Sequence, residues 1–362
     1  MLDYANPKLV INSATTEPGT IAWRSPSNLA IIKYWGKYGK QLPRNPSISI
    51  TLDAAFTETT MAFAAKTGAD EGISLNFLFE NKPNEAFRGK LLKFLESITD
   101  IFPFIKQLHL TIRSYNSFPH SAGIASSASS MSALALCLCS LEHQLFGTLE
   151  KDEDFRKKAS YISRLGSGSA CRSVYAKMAL WGELGTVEGS SDLFAIPYED
   201  KTHAIFKNCH DDILIASRGE KSVSSSAGHG LMEDNIYADN RYTQARQRLY
   251  NLVDILRAGD FDAFGRIAEN EALTLHALMM MSNPSYILMH PNSLAMIEKV
   301  RQFRQDTSTP LYFSLDAGPN LHLLYPDEVT LPVKEFINSE LLPLCENGEM
   351  IADKAGEGPL EV

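Results

Sequence analysis

Alternating apolar and polar positions predict that the first third of the chain is rich in strands. The alternation has a period of two over residues 47–52, 57–63 and 73–79, and shorter strands are predicted at 21–23 and 108–113. A period near 3.6 predicts helices over 85–98 and 152–165, and the apolar run 131–141 predicts a buried helix between them. The long helices of this part therefore follow a set of strands.

The rest of the chain again combines strands and helices, without regular strand–helix–strand alternation. An apolar strand is predicted at 175–180, and the polar, turn-rich stretch 185–192 after it predicts a domain boundary. Beyond it we expect a strand at 213–216, helices over 232–258, 261–279 and 293–304, and a hairpin over 311–325. This order predicts an α+β fold with domains 1–188 and 189–362. The last strand or tail is a candidate to return to the first domain.

Composition excludes several classes of protein. The chain has 362 residues, 44% hydrophobic and 21% charged, which is typical of a globular protein with substantial cores. The formal net charge of -9 leaves no general basic field for nucleic acid or an anionic membrane. We find neither a signal peptide nor a membrane span, and expect a cytoplasmic protein.

Cysteines and histidines do not indicate a disulfide framework or a metal site. The five cysteines are odd in number and lack C-x-x-C spacing, and the nine histidines are scattered. No residue is therefore predicted to ligate a metal ion, and any anionic ligand has to be held by local groups.

A loop of small residues leads into the apolar helix and is a candidate phosphate site. From Phe118 to Ser130 it reads F-P-H-S-A-G-I-A-S-S-A-S-S. Backbone N–H groups at a helix start attract anions, Gly123 lets the main chain approach a ligand, and Ser126 and Ser127 offer hydroxyl groups. No lysine follows the glycine, so the loop differs from G-x-x-x-x-G-K-[ST]. The alternative is that these residues only cap and pack the helix.

Further Ser/Gly loops, at 166–173 and 222–228, accompany a few charged candidates. The guanidinium of Arg172 suits a carboxylate or phosphate, although a salt bridge to a neighbouring helix is an equal alternative. Asp316, in the hairpin turn, is a candidate general base or a plain turn aspartate. Lys33 and Lys37 either converge on one anion or are surface lysines. Together these groups suit phosphoryl transfer, which needs positioning and positive charge.

Four strings of residues resemble the diphosphomevalonate decarboxylase family of the GHMP kinase superfamily. They are N-L-A-I-I-K-Y-W-G-K at 28–37, the serine loop at 117–127, R-L-G-S-G-S-A-C-R-S at 164–173 and D-A-G-P-N at 316–320. They follow the family's order, and the strings K-Y-W-G-K, G-S-G-S-A-C-R-S and D-A-G-P-N distinguish that family from plain kinases of the superfamily. The resemblance implies a GHMP kinase fold: an ATP-binding N-terminal domain with a ribosomal-protein-S5-like core and a ferredoxin-like C-terminal domain.

The reaction that the resemblance implies is ATP-dependent decarboxylation of (R)-5-diphosphomevalonate. The products are isopentenyl diphosphate, ADP, phosphate and carbon dioxide, in the mevalonate route to isoprenoids, with Mg²⁺ as cofactor. Asp316 orients or deprotonates the C3 hydroxyl in this scheme, and Arg172, Lys33 and Ser225 are the other implied catalytic residues. Relatives are mostly homodimers, so a homodimer is implied as well.

The resemblance also implies two sets of binding residues. Those implied for the substrate are Asn28, Tyr34, Trp35, Gly36, Lys37, Ser167, Gly168, Ser169, Ala170, Cys171, Arg172 and Ser226. Those implied for ATP and Mg²⁺ are Ser121, Ala122, Gly123, Ile124, Ala125, Ser126 and Ser127. His276 matches a family histidine that we interpret as structural.

The chain departs from the family pattern at a few positions. Pro46 replaces a usual serine, and residues 120–121 and 129–130 differ within the serine loop. Relatives carry an additional basic residue near the start of the helix predicted at 85–98, for which Arg88 is a candidate. Alternatives are an enzyme that only phosphorylates the C3 hydroxyl, one that accepts the monophosphate, and a binding protein without catalysis. Retention of Asp316, Lys33 and Arg172 favours the full reaction.

Overall fold

The computed structural model describes residues 4–68, 72–119, 124–219 and 222–362. Among the described residues, two main sheets with helices packed on them, beside a small two-stranded sheet, form the α+β fold that the order of elements predicts. Within the described ranges, no helix has the length and apolar character needed to cross a membrane.

The larger sheet and its helices are formed mainly by the first part of the chain. The elements there are β1 (Gly19–Ile32), β2 (Lys37–Tyr38), β3 (Leu42–Pro43), β4 (Ser47–Ala65), β5 (Ser74–Phe79), β6 (Lys82–Pro83), α1 (Glu85–Glu96), β7 (Leu108–Asn116), α2 (Ser126–Phe146), α3 (Asp152–Gly166), β8 (Met178–Trp181) and β9 (Ala195–Pro197). A 3₁₀ turn, Gly168–Val174, lies between α3 and β8.

The smaller sheet and its helices follow. The elements of this part are β10 (His210–Leu214), α4 (Ser225–Gly230), α5 (Ala238–Ala258), α6 (Phe261–Met280), α7 (Pro291–Thr307), β11 (Tyr312–Ser314), β12 (Leu321–Tyr325), α8 (Thr330–Phe336) and β13 (Met350–Ile351). The last strand, β14 (Leu360–Glu361), belongs to the larger sheet. Short 3₁₀ and π turns connect several of them.

The long strand β4 organises the larger sheet. It pairs with β1 along its length, with β8 through residues 47–50 and with β7 through residues 57–65. The two strands predicted at 47–52 and 57–63 are therefore one strand, with a register shift against β1 at residues 52–55. The sheet order is β14-β1-β4-β7-β5-β6, with β8 and β9 beside the first half of β4.

Helix α2 covers one face of this sheet, as the apolar run 131–141 predicts. Its residues Leu134, Leu136 and Leu138 are buried in the core that the sheet and the helix share. Burying such leucines removes apolar surface from water, which stabilises the packed layers. The indole N–H of Trp23 on β1 donates to Ser140 Oγ at 2.8 Å and fixes the helix over the sheet.

The smaller sheet has the order β11-β12-β10-β13, with α6 packed on β11. Gly265 of α6 lies against the Tyr312 ring, where an added Cβ would be 2.0 Å from a ring atom. The absence of a side chain therefore lets α6 approach the sheet closely. The predicted hairpin over 311–325 is confirmed, because β11 and β12 pair antiparallel around the turn 315–320.

The end of the chain joins the two sheets. The carboxylate of Asp353 accepts the backbone N–H groups of Asp53, Ala54 and Ala55 at 2.7–2.9 Å, and Asp211 N–H donates to the Asp353 carbonyl. Strand β14 then pairs with β1. The domain boundary near 188–189 stays a prediction, and β9, which follows that point, pairs with β8 of the larger sheet.

Local side-chain bonds explain where some predicted elements differ from the structure. The helix predicted from residue 232 begins at Ala238, because the Asn235 side chain accepts the Tyr237 N–H and holds a turn before it. The predicted loop 222–228 is wrong from Ser225 onward. Ser224 accepts the Ala227 N–H there and caps the short helix α4.

Candidate active site

A cleft of about 910 Å³, open to solvent, lies where both sheets and α4 meet. The start of α2, the 3₁₀ turn, α4 and the β11–β12 turn supply its walls. Many residues from distant parts of the sequence come together there. The predicted site residues that line it are Asn28, Lys33, Tyr34, Trp35, Lys37, Ala125, Ser127, Ser167, Gly168, Ser169, Arg172, Ser225, Ser226 and Asp316.

The Lys33–Asp316 ion pair forms one corner of the cleft. Lys33 Nζ lies 2.9 Å from Asp316 Oδ1 and 3.0 Å from Ser314 Oγ. The Lys33 side chain is 2% exposed, whereas the Asp316 side chain is 20% exposed and lines the cleft. The ammonium is thus fixed behind the carboxylate, and the carboxylate is accessible to a ligand.

Glu271 and Arg241 hold the backbone of Lys33 from α5 and α6. Glu271 Oε2 accepts the Lys33 N–H at 2.9 Å, and Arg241 Nη2 donates to the Lys33 carbonyl at 3.2 Å. Glu271 is fully buried and also accepts from Arg241 and Arg248. Burial raises the pKa of Glu271, but the charge of Arg241 and the hydrogen bonds from Arg241, Arg248 and the Lys33 backbone together outweigh it and leave this pKa below its ordinary value. The carboxylate therefore stays ionised and fixes Lys33 in place.

The turn that carries Asp316 is held by groups on neighbouring elements. His276 Nε2 of α6 donates to the Asp316 carbonyl at 3.1 Å. Ser293 Oγ at the start of α7 donates to the Pro319 carbonyl, and Asn320 Oδ1 accepts the Ser217 N–H at 3.1 Å. These bonds keep the acid at one position between β11 and β12. The interpretation of His276 as structural agrees with this contact.

Arg172 forms the second corner, and its described partners are neutral. Its guanidinium donates to Ser47 Oγ at 2.6 Å, to Ser49 Oγ at 3.0 Å and to Asn28 Oδ1 at 3.2 and 3.3 Å. Asn28 is itself oriented by a 2.8 Å bond from its amide to Ser173 Oγ. Burial lowers the pKa of Arg172, since its 1% exposed side chain has lost the solvation of its charge. The predicted alternative of a salt bridge to a helix is absent from the described part of the chain.

The start of α2 faces the same cleft. Ala125, the residue before the helix, has φ +46° and ψ +41°, and no described side chain caps the helix there. Ser27 Oγ donates to the Ile124 carbonyl at 2.6 Å, and Asn116 donates to Ser126 Oγ at 3.0 Å. Ser127 Oγ lies 3.2 Å from Ser167 Oγ across the cleft wall. The positive end of the α2 dipole and the Ser127 hydroxyl thus face the cleft, where they favour an anion.

An aromatic corner completes the wall. His229 of α4 lies between the rings of Tyr34 and Trp35, with centroids 4.4 and 4.6 Å away. The Tyr34 hydroxyl is buried without a hydrogen-bond partner among described residues, and burial raises its pKa. Lys37 Nζ donates to Gln41 Oε1 at 3.1 Å, and partial burial lowers its pKa. Lys33 and Lys37 thus line one cleft but lie at different corners.

Some predicted site residues do not line the cleft. Ala170 and Cys171 are buried within the 3₁₀ turn, where the Cys171 thiol donates to the Gly168 carbonyl and burial raises its pKa to about 12. Ile124, Ser126 and Gly36 are not among the lining residues either. Ser121, Ala122 and Gly123 lie outside the described residues.

The candidate Arg88 lies elsewhere too. Its guanidinium donates to the Leu75 carbonyl at 2.9 Å and pairs with Glu85 at 3.4 Å on α1. It is not among the residues that line the cleft. Its predicted contact with a ligand therefore has no support from its position.

Sequence reasoning missed several residues that shape the site. Ser47 and Ser49 follow the alternating pattern of a strand, and Glu271 and Arg241 lie on helices far along the chain. His229 is one of the scattered histidines of the sequence, although it follows the third serine loop directly. That proximity is the one signal that would have singled it out. Among the described residues, no group of three or more His, Cys, Asp or Glu side chains could hold a metal ion.

Comparison with known proteins identifies the family. Residues 25–192 match the diphosphomevalonate decarboxylase-like N-terminal domain, and residues 212–358 match the mevalonate 5-diphosphate decarboxylase C-terminal domain. The diphosphomevalonate decarboxylase of Saccharomyces cerevisiae is 31% identical over 334 residues, which cover 88% of this chain and 81% of that protein. The Candida albicans enzyme is 30% identical over 315 residues, covering 84% of this chain and 83% of its own length.

Solved structures agree with these relatives. Mevalonate diphosphate decarboxylase from Staphylococcus aureus superposes with a TM-score of 0.80 at 27% identity, over 96% of this chain and 98% of the other. The complex of MDDEF with MVAPP, AMPPCP and magnesium superposes with a TM-score of 0.79 at 28% identity, over 96% and 99%. The fold class and the family expected from the sequence are thereby confirmed, and the chain belongs to the diphosphomevalonate decarboxylase family.

Proposed function

We propose that this chain catalyses the ATP-dependent decarboxylation of 5-diphosphomevalonate to isopentenyl diphosphate. The observation that carries the proposal is one cleft holding a carboxylate fixed by a buried lysine and a buried guanidinium whose described partners are neutral. The carboxylate suits the proton transfer, and the guanidinium suits the anionic substrate. Membership of the family supports this assignment.

Asp316 is the general base in this proposal. Its carboxylate takes the proton of the C3 hydroxyl while the hydroxyl oxygen attacks the γ-phosphorus of ATP, and ADP leaves. Lys33, at 2.9 Å, holds the carboxylate in one orientation, and Ser314 holds Lys33. Ser225, exposed on α4, lines the same cleft, and we assign it the contact with the transferred phosphate. Positioning and charge are what a loose phosphoryl transition state requires.

Arg172 binds the substrate carboxylate in the second step. The C3–O bond breaks, phosphate leaves, and positive charge develops on C3. The electrons of the bond between the carboxylate carbon and C2 then form the C2–C3 double bond, and carbon dioxide is released. Asp316 returns the proton it accepted to the leaving phosphate, and the carboxylate, ionised again, stabilises the charge at C3. Carbon dioxide is neutral, so the guanidinium no longer holds it.

The start of α2 is proposed to bind the phosphates of ATP. The positive end of the helix dipole lies there, and Ala125 and Ser127 line the cleft. Magnesium takes few protein ligands and keeps water and phosphate oxygens. The Ser127 hydroxyl, whose one described contact is Ser167 Oγ, fits such a ligand. When bound, the ion neutralises phosphate charge, and complexes of MDDEF with AMPPCP and magnesium support both assignments.

The test is product analysis with three substrates. Purified protein is incubated with ATP, Mg²⁺ and either diphosphomevalonate, mevalonate phosphate or mevalonate, and ADP and carbon dioxide are measured. We expect equal amounts of both products from diphosphomevalonate alone. ADP without carbon dioxide would instead identify an enzyme that only phosphorylates the C3 hydroxyl. Carbon dioxide from mevalonate phosphate would identify the monophosphate as a substrate. ATP binding without turnover would contradict the enzyme assignment.

We also propose a cytoplasmic homodimer. The resemblance to mostly dimeric relatives supports the dimer, and the five cysteines, all unpaired and buried, fit a reducing compartment. Light scattering on a size-exclusion column measures the mass, and a mass of one chain would contradict the dimer. Fractionation of the source cells tests the location.

A further inference from the structure

His229 is a polar group of the cleft to which the proposed mechanism gives no role. It is 8% exposed and stacks against Tyr34 and Trp35, both of which also line the cleft. The backbone N–H of Gly36 donates to His229 Nδ1 at 3.0 Å. The ring is therefore fixed in its plane by two aromatic contacts and along one edge by a hydrogen bond.

That hydrogen bond determines the tautomer of the ring. A backbone N–H only donates, so Nδ1 has to be the acceptor, and the neutral ring carries its proton on Nε2. Burial, followed by the charge of Lys37, lowers the pKa of His229 to about 3. Protonation of Nδ1 would also oppose the Gly36 N–H. His229 is consequently a neutral donor at any pH at which the enzyme is assayed.

The donor atom is available to a ligand. No hydrogen bond of the described residues involves His229 Nε2, while Nδ1 is satisfied. The ring lines the cleft beside Ser226, which precedes it by three positions on α4 and therefore lies on the same helix face. The unpaired hydroxyl of Tyr34 lies against the same ring. Two polar groups of one wall, the His229 Nε2–H and the buried Tyr34 hydroxyl, thus have no protein partners among the described residues.

Charge indicates which part of a ligand this wall suits. Among the described lining residues, the cations are Lys33, Lys37 and Arg172. Lys33 is paired with Asp316, and Arg172 is assigned to the substrate carboxylate. Lys37 is the remaining cation, and its charge acts on His229. A neutral donor next to a cation suits an oxygen of a doubly charged phosphate group, because it adds a hydrogen bond without requiring a further counter-ion.

We propose that His229 is a substrate-binding residue that donates its Nε2–H to an oxygen of the substrate's diphosphate, beside Lys37. This inference rests on the proposed function. The donor is fixed before the ligand arrives, since the tautomer and the ring plane are both set by the protein. Little conformational freedom is lost when the diphosphate binds, which favours affinity.

Two variants distinguish hydrogen-bond donation by His229 Nε2 from a role in which His229 only positions the Gly36 backbone. His229→Phe keeps a ring between Tyr34 and Trp35 but has no nitrogen, and His229→Asn offers an oxygen for the Gly36 N–H but no donor at Nε2. We expect both to raise the KM for diphosphomevalonate about 10- to 100-fold, as a lost hydrogen bond to a charged group does. The KM for ATP should stay within about twofold, since the start of α2 is untouched.

The matched control is His109→Gln, which changes an exposed histidine of β7 that contacts Ser74 and lies outside the cleft. It should leave both KM values unchanged, and thermal unfolding checks that each variant is folded. A normal substrate KM in His229→Asn with a raised value in His229→Phe would show that His229 only positions Gly36. A raised KM for ATP alone would overturn the proposal as well.

A spectroscopic readout does not depend on turnover. In protein labelled with ¹⁵N-histidine, the His229 signals are assigned by their loss in His229→Asn. We expect a neutral ring with protonated Nε2, and a shift of that nitrogen when diphosphomevalonate is added without ATP. Mevalonate, which lacks the diphosphate, should leave it unshifted. A protonated Nδ1, or no shift at saturating diphosphomevalonate, rejects the proposal.

The failure of this proposal is distinguishable from the failure of the proposed function. If wild-type protein releases carbon dioxide from diphosphomevalonate and both His229 variants keep its KM, only the role of His229 is wrong. If wild-type protein releases none, the proposed function itself fails.

Discussion

Two buried cations line the cleft, and their charges are balanced in different ways. Lys33 is paired with the Asp316 carboxylate at 2.9 Å, whereas Arg172 donates to the neutral oxygens of Asn28, Ser47 and Ser49. A buried charge costs free energy unless an opposite charge or several hydrogen bonds offset it. The Lys33 corner is therefore complete without a ligand, while the Arg172 corner leaves positive charge for a bound anion.

A second buried arginine shows that neutral partners do not make a binding site. Arg164 is 2% exposed and donates to the carbonyl groups of Leu193 and Lys40. It does not line the cleft, so no ligand can reach its guanidinium there. What distinguishes Arg172 is access to the cleft, and Arg164 is the natural control for it.

Loss of the acid should have the largest effect. Asp316→Asn removes the proton acceptor but keeps the shape of the side chain, so we expect kcat to fall about 10²- to 10⁴-fold with a much smaller change in KM. Steady-state kinetics with diphosphomevalonate measure both constants. The control is Asp254→Asn, which changes an exposed aspartate. A near-normal kcat would remove Asp316 from the chemical step.

Loss of the guanidinium should be the next largest effect. Arg172→Ala is expected to lower kcat/KM for diphosphomevalonate about 100-fold or more, because charge-assisted bonds to the carboxylate are lost. Arg172→Lys keeps the charge but cannot form two parallel hydrogen bonds to one carboxylate. Its kcat/KM should lie between those of the wild type and Arg172→Ala. Arg164→Ala should reduce the thermal midpoint without a selective change in kcat/KM. Equal kinetic losses at both positions would mean that Arg172 acts only through stability.

Glu271→Gln tests the support of the Lys33 corner. The buried arginines Arg241 and Arg248 would lose their carboxylate, so we expect the free energy of unfolding to fall by about 3 kcal/mol. We expect kcat to fall about tenfold in addition, because the Lys33 backbone is held less firmly. The control is Glu269→Gln, on the same helix, whose carboxylate pairs with Arg304 and does not contact Lys33. It should lose stability without the kinetic change.

The same variant has a pH signature. The pKa of Glu271 is lower in the folded protein than its ordinary value of 4.5. Its ionisation therefore contributes stability above pH 4.5, and this contribution is lost as the pH falls through the folded-state pKa. Wild type should lose unfolding free energy more steeply on acidification than Glu271→Gln. Parallel curves from urea unfolding at several pH values would contradict this.

The smallest effect is expected at the start of α2. Ser127→Ala removes one hydroxyl while the backbone N–H groups remain, so the KM for ATP should rise about two- to tenfold. Ser130→Ala, one turn along the same helix, is the control, because its hydroxyl bonds to the Ser126 carbonyl. An unchanged KM and kcat would assign all of the phosphate binding to the main chain.

The sequence predicted the fold well where one period of hydrophobicity persisted. Helices α3 and α6 and the β11–β12 hairpin lie close to their predicted bounds, because apolar residues repeat throughout them. Helix α2 forms where it is predicted but extends about five residues beyond each end of the apolar run 131–141. Predictions were poorer where a single side chain decides the backbone. Asn235 delays the start of α5, and Ser224 turns an expected loop into α4. The periodicity of apolar residues carries no information on such side-chain hydrogen bonds to the backbone.

The residue types and their order were enough to identify the family. They were also enough to single out the acid at 316 and the basic residues at 33, 37 and 172 as candidates for the site. Only the tertiary structure decided which of them meet: Asp316 with Lys33 across 283 positions, Arg172 with Ser49 across 123, and Glu271 with the backbone of Lys33 across 238. It also placed Cys171 behind the wall and His229 in it. The physical reason is that burial, pairing and tautomer depend on neighbours brought together by packing, and no local pattern encodes those neighbours.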